Sequence, residues 1–178
     1  MFITEFFGLF SLSAFATWGF LMAFFFNVFV FALDIKRKTT LLLSSFIMMV
    51  SYSASDYLFT WLSIENSVYL DWVLYDYATI FALFLTYSFI GKTTRSFIYI
   101  IIGLFINSIL SLSIYNDLYL NGNREPWFLW DLYTFGVNII DLIMIIALIV
   151  DRDFLGIHKL KLVTINLFTN NYQKLISK

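Results

Sequence analysis

The chain has 178 residues, 61% of them hydrophobic and only 13% charged, with a formal net charge of −1. Soluble domains are about 45–50% apolar and about 25% charged, and a fold this small exposes too much surface to hide the excess, so the composition excludes a water-soluble globular domain. The near-neutral charge, with no basic stripe in the apolar part, excludes nucleic acid as a partner, and the lack of cysteine excludes disulfides, thiol catalysis and thiolate metal sites.

The first apolar run covers residues 6–33. No basic stretch precedes it and it is too long for the apolar core of a signal peptide, so it reads as a retained transmembrane helix. The following runs cover residues 40–63, 70–90, 96–113 and 127–150. Each is near the length of about 20 residues that a spanning helix needs. The third is the weakest, because Asp71 and Asp76 lie in its first half. A barrel strand would alternate polar and apolar residues over about 10 positions; these runs are continuously apolar and therefore helical. The only proline, Pro126, lies between the last two runs, where it breaks no helix. The fold class expected is all-α, a polytopic transmembrane bundle of five spans over residues 1–150, followed by a short cytoplasmic tail at residues 151–178.

Basic residues set the orientation. Lys36, Arg37 and Lys38 follow span one, Lys92 and Arg95 follow span three, and Arg152, Lys159, Lys161, Lys174 and Lys178 follow span five. Only Arg124 lies on the other side. Basic connections stay cytoplasmic, which places the amino terminus outside and the tail inside, in a membrane expected to be the bacterial inner membrane. Trp61, Trp72, Trp127 and Trp130 read as interfacial anchors; Trp18 lies too deep in its run for that and reads as core.

Spans two to five contain an internal echo. Trp72-Val-Leu-Tyr-Asp76 resembles Trp127-Phe-Leu-Trp-Asp131, and with the same offset Thr79 falls on Thr134 and Thr86 on Asp141, although Leu83 falls on Asn138. The turns before spans two and four share Lys-Thr-Thr, at residues 38–40 and 92–94. A duplicated helical hairpin, spans two and three repeated as four and five, is the expectation.

Asp131, Thr134, Asn138 and Asp141 recur at helical spacing and form a polar seam on span five. Its counterpart on span three is Asp76, Thr79 and Thr86. An ionised carboxylate at mid-bilayer costs about 2.5–3.5 kcal/mol on insertion scales, so Asp141, the deepest, faces a neighbouring helix or a water-filled space, or else carries a proton. It is a candidate ion or proton site, or else a packing contact to Ser, Asn or Tyr on another helix. Asp76 and Asp131 lie about 6 Å inside the outer boundary at 1.5 Å per residue, where water reaches them. Ser44, Ser51 and Ser55 on span two, and Gly103, Asn107 and Ser111 on span four, share faces suited to close helix packing or to contacts between subunits.

The tail alternates polar and apolar residues from His158 to Leu162 and again around Ile165 and Leu167. Lys159, Leu160, Lys161, Leu162, Ile165 and Leu167 are therefore candidates for docking a cytoplasmic protein by strand addition, or for lying on anionic lipid. One histidine, His158, cannot build a histidine-rich metal site, and scattered serines lack the base that a nucleophile needs. No enzyme activity, metal or other cofactor is expected. The partners expected are the bilayer, further copies of the chain in a homo-oligomer, and a cytoplasmic protein at the tail. The functions expected are a membrane sensor or anchor acting through the tail, a small proton or cation channel or carrier using the Asp131–Asp141 seam, or an accessory subunit of a larger membrane complex.

Overall fold

A computed structural model describes residues 12–35, 39–58, 68–91, 94–125, 127–152 and 156. Among them are five long helices and no strand: α1 Leu12–Ala32, α2 Thr39–Leu58, α3 Val68–Ile90, α4 Arg95–Tyr115 and α5 Phe128–Val150, with one π-helical turn, Asn116–Leu120, continuing α4. The stretches Ala14–Ala32, Val68–Ile90, Arg95–Leu120 and Phe128–Val150 are long and apolar enough to cross a bilayer, whereas the apolar stretch of α2, Thr39–Ser55, is shorter. At 1.5 Å per residue, 23 residues span about 34 Å, against about 30 Å of hydrocarbon.

The boundaries have local causes. Thr94 Oγ1 accepts from Phe97 N at 3.3 Å and caps α4, so the second threonine of that Lys-Thr-Thr turn starts a helix. Gly91 ends α3 with φ +66° while its N–H donates to Tyr87 O at 2.8 Å, a backbone conformation that favours glycine. The fourth run extends further than its apolar stretch predicts, through the π-helical turn. The reason is that Asp117, buried in that turn, accepts from the Trp127 indole at 2.7 Å and from the Trp130 indole at 3.4 Å. An acid just beyond the apolar stretch is thus held inside the fold. The end of the second run lies outside the described residues, as do the connections carrying Lys36–Lys38 and Lys92.

Sequential helices pack antiparallel, and α5 returns to α1, which closes a ring of five. Gly103 faces Met144 and Gly136 faces Leu110 across α4–α5; Phe84 meets Phe97 across α3–α4; Phe24 meets Phe46 across α1–α2. Helix α4 is the most enclosed, with half of its spanning window buried. At the end of the ring where α1, α3 and α5 finish, termed the basic end, all five helices contribute to one apolar core that includes Phe20, Met48, Leu83, Leu104 and Met144. Leu83, which interrupts the polar pattern of α3, is fully buried in that core.

The outer surface is apolar in broad stripes. Phe15, Met22, Phe25 and Phe29 on α1, Phe81, Phe84 and Phe89 on α3, and Phe128, Phe135 and Ile139 on α5 are all exposed. Exposed large apolar side chains on this scale mark contact with an apolar phase or partner, and together with the helix lengths they suit an integral membrane protein. Trp18, expected in the core, is 62% exposed. It projects outward from α1 because Ala16, Phe20 and Ala23 take the inward face of that helix.

Candidate functional site

The half of the ring away from the apolar core is hollow. A cavity of about 290 Å³ is lined by Ala16 of α1, Ser51, Tyr52 and Ser55 of α2, Trp72, Tyr75 and Asp76 of α3, Asn107 and Ser111 of α4, and Tyr133, Thr134, Val137, Asn138 and Asp141 of α5. Every helix contributes, α1 to α4 from the part nearer the end opposite the basic one and α5 from that part to just past its midpoint at Asp141. Among the described residues, the lining holds the carboxylates of Asp76 and Asp141 and no lysine, arginine or histidine.

Asp141 sits deepest. It is 5% exposed, and its Oδ1 accepts from Tyr52 Oη at 2.6 Å and from Asn107 Nδ2 at 2.8 Å. The carboxylate therefore meets both a neighbouring helix and an internal space. Both donors are neutral, so they orient and partly stabilise a charge without cancelling it. Tyr52 is itself fixed by its ring, 4.2 Å from that of Phe20. Asn107 is 4% exposed, and its Oδ1 is buried without a partner. Buried acceptors are normally satisfied, which makes this one notable.

The second carboxylate is Asp76. Ser108 Oγ lies 3.2 Å from Asp76 Oδ2 and 2.9 Å from Leu104 O, so one hydroxyl proton serves two acceptors. Asp76 lines the same cavity as Asp141. Aromatic rings form the wall towards the opening. Trp72 and Tyr133 stack with centroids 6.3 Å apart and planes 15° apart, and Tyr69 meets both edge-on at 5.8 and 5.7 Å. Trp72 is partly exposed.

The residues singled out in the sequence separate into groups. Thr134 and Asn138 line the cavity, yet each turns a hydrogen bond back to its own helix, Thr134 to Trp130 O and Asn138 to Thr134 O. Asp131 is exposed and is not part of the lining. It stands in the first turn of α5, ten residues and about 15 Å along the axis from Asp141. The carboxylate that joins Asp141 is thus Asp76 of another helix, not Asp131 of the same seam. Thr79 is buried and pairs with Ser51 across α2–α3, and Thr86 bonds to Ala82 O. Ser55 and Ser111 line the cavity, whereas Ser44 is buried with its hydroxyl unpartnered. A Cβ on Gly103 would lie 2.5 Å from Met144 Sδ, so this glycine permits the close approach of α4 and α5. Lys159, Leu160, Lys161, Leu162, Ile165 and Leu167 lie outside the described residues.

Sequence reasoning did not single out Tyr52, Tyr75, Tyr133 or Ser108. Tyr52 stands three residues before Ser55, and Ser108 three before Ser111, a spacing that shares a helix face and signals the same seam. It also passed over the closure of the basic end. There Asn27 Nδ2 donates to Leu148 O at 3.2 Å, and Ser96 Oγ lies 2.7 Å from both Ala147 O and Asp151 Oδ1. These buried polar contacts tie α1 and α4 to the end of α5 beneath the core. The described residues contain no cluster of three or more His, Cys, Asp or Glu able to hold a metal ion. No known family, curated protein or solved structure matches this chain.

Proposed function

We propose that this chain is a non-enzymatic, five-span membrane carrier that takes a small cation into its internal cavity from the side opposite its basic connections. One observation carries the reading: Asp76 and Asp141 line one cavity, and the described residues of its lining include no basic side chain. Intramembrane carboxylates mark ion or substrate paths, and a low-dielectric cleft of one sign concentrates ions of the other. With the basic connections cytoplasmic, the cavity opens outward, in a bacterial inner membrane.

A carrier fits better than a channel. The apolar core and the Ser96–Asp151 and Asn27–Leu148 contacts lie between the cavity and the basic end, so delivery inward requires a second arrangement of the helices. The α2–α3 and α4–α5 hairpins, taken as a duplicated unit, are the natural moving parts, as parallel repeats are in other carriers. One chain encloses the cavity, so this function does not depend on the homo-oligomer suggested by the small-residue faces. Recruitment of a cytoplasmic partner by residues 151–178 rests on the sequence pattern of the tail alone.

The test is uptake by proteoliposomes containing the full chain, with sodium, protons and methylammonium as probes. At least one probe should enter, and Asp141→Asn should abolish most of that uptake. Absence of uptake of all three by the wild type, or equal uptake by Asp141→Asn, overturns the reading.

A further inference from the structure

The lining discriminates among cations. A cavity of about 290 Å³ is far larger than the 10–15 Å³ or so that admits one water and lies at the lower end of small-molecule pockets, about 300–1,000 Å³. A hard metal ion wants six or more oxygens closely gathered, and here two carboxylates stand in a wide space. The wall is chemically divided. At its deeper part three acceptor oxygens stand open. Asp141 Oδ2 and Asp76 Oδ1 receive no donor from the described residues, since the hydrogen bonds to these carboxylates fall on the other oxygen of each. Asn107 Oδ1, on a side chain 96% buried, has no partner. Towards the opening Trp72, Tyr133 and Val137 add aromatic and apolar faces among the hydroxyls of Ser55, Ser111 and Thr134.

Three open acceptors call for a ligand rich in N–H donors, and an ammonium group carries three donors and no acceptor. Ring faces attract a cation placed within about 6 Å and bury an apolar body. We infer that the cargo is an organic ammonium ion with an aromatic or apolar body, its nitrogen directed to Asp76, Asp141 and Asn107 and its body lying against Trp72 and Tyr133. This inference rests on the carrier reading and narrows it from cations in general to one chemical class.

Equilibrium binding to the purified full-length protein in detergent tests it, with 2-phenylethylammonium, methylammonium, sodium and the neutral 2-phenylethanol as probes. Phenylethylammonium should bind at least about tenfold more tightly than methylammonium or sodium, a difference of about 1.4 kcal/mol, and 2-phenylethanol should bind at least about tenfold more weakly than its ammonium counterpart. Asp141→Asn should weaken phenylethylammonium by about tenfold or more. Trp72→Leu, at a partly exposed position that tolerates change, should narrow the preference for phenylethylammonium over methylammonium, so the inference stays testable if Asp141→Asn does not fold. Equal affinity for phenylethylammonium and methylammonium overturns the inference while leaving an Asp141-dependent carrier of small cations standing. Equal affinity for phenylethylammonium and 2-phenylethanol overturns it by reducing the binding to apolar burial. Failure of every cation to bind or enter vesicles sinks this inference and the carrier reading together.

Discussion

Asn107 of α4 and Asp141 of α5 are joined by a single hydrogen bond, Nδ2 to Oδ1 at 2.8 Å, which leaves the amide oxygen of Asn107 buried without a donor. The pairing holds a carboxylate in the interior with neutral groups alone, because the other donor is the Tyr52 phenol. A buried ion pair would cancel the charge and make the site inert. Neutral donors fix its position without a counter-charge, which under the proposed reading a positive ligand supplies.

Removing either donor should cost little stability. Interhelical hydrogen bonds in membranes average about 0.6 kcal/mol and reach about 1.7. Asn107→Ala and Tyr52→Phe should each lower stability by an amount in that range, read as a lower Tm in detergent. Tyr52→Phe should be the milder, because it keeps the ring against Phe20. A loss several times larger in Tyr52→Phe would show that the hydroxyl does more than orient Asp141.

Gly103 sets the spacing of α4 and α5. A methyl group there would lie 2.5 Å from Met144 Sδ and 2.6 Å from its Cγ. Gly103→Ala should destabilise by about 1–3 kcal/mol, the usual cost of overpacking. Met144 is flexible, and shortening it makes room: Gly103→Ala combined with Met144→Ala should be less damaging than the sum of the two single changes. Strict additivity in thermal unfolding would contradict this contact.

Asp151 ends α5 in a left-handed conformation, φ 47°, while Ser96 Oγ reaches its carboxylate at 2.7 Å. Two effects separate by substitution. Asp151→Gly loses the carboxylate but suits the backbone; Asp151→Ala loses the carboxylate and strains the backbone, at a further cost of about 1 kcal/mol. Thermal unfolding should rank wild type above glycine and glycine above alanine. Alanine equal to or better than glycine would contradict the role of the conformation.

The sequence contains no cysteine, so single engineered cysteines report accessibility without background. Ser55→Cys and Ser111→Cys, in the cavity lining, should react with a membrane-impermeant maleimide added from the side opposite the basic connections. Met48→Cys and Leu104→Cys, fully buried in the core, should not. Reaction of the lining cysteines only from the basic side would reverse the direction of opening.

The helices were legible because continuous apolarity over about 20 residues suits little besides a helix in hydrocarbon, and Thr94 and Gly91 sit where the helix ends require them. The pairing of Asp76 with Asp141 was not legible. Helical periodicity relates residues on one helix, and it put Asp131 in the seam with Asp141; which carboxylates meet across helices depends on how the ring closes, and that depends on contacts such as Gly103 with Met144. Trp18 was misread for a related reason: depth along a run does not tell which face turns to the bundle. The setting of Asp117 was not legible because its partners, Asn123, Trp127 and Trp130, come together only through the turn between α4 and α5.

The most direct measurement is the cation-dependent thermal stabilisation of the purified protein, compared among wild type, Asp76→Asn, Asp141→Asn and the double variant, with phenylethylammonium, methylammonium and sodium in turn. A ligand that binds only the folded state raises Tm as its concentration passes its Kd. If the two carboxylates form one site, at least one cation raises the Tm of the wild type, each single variant loses most of that rise, and the double variant loses scarcely more, because both act on the same ligand. An equal rise in wild type and double variant would mean that Asp76 and Asp141 do not hold the cation.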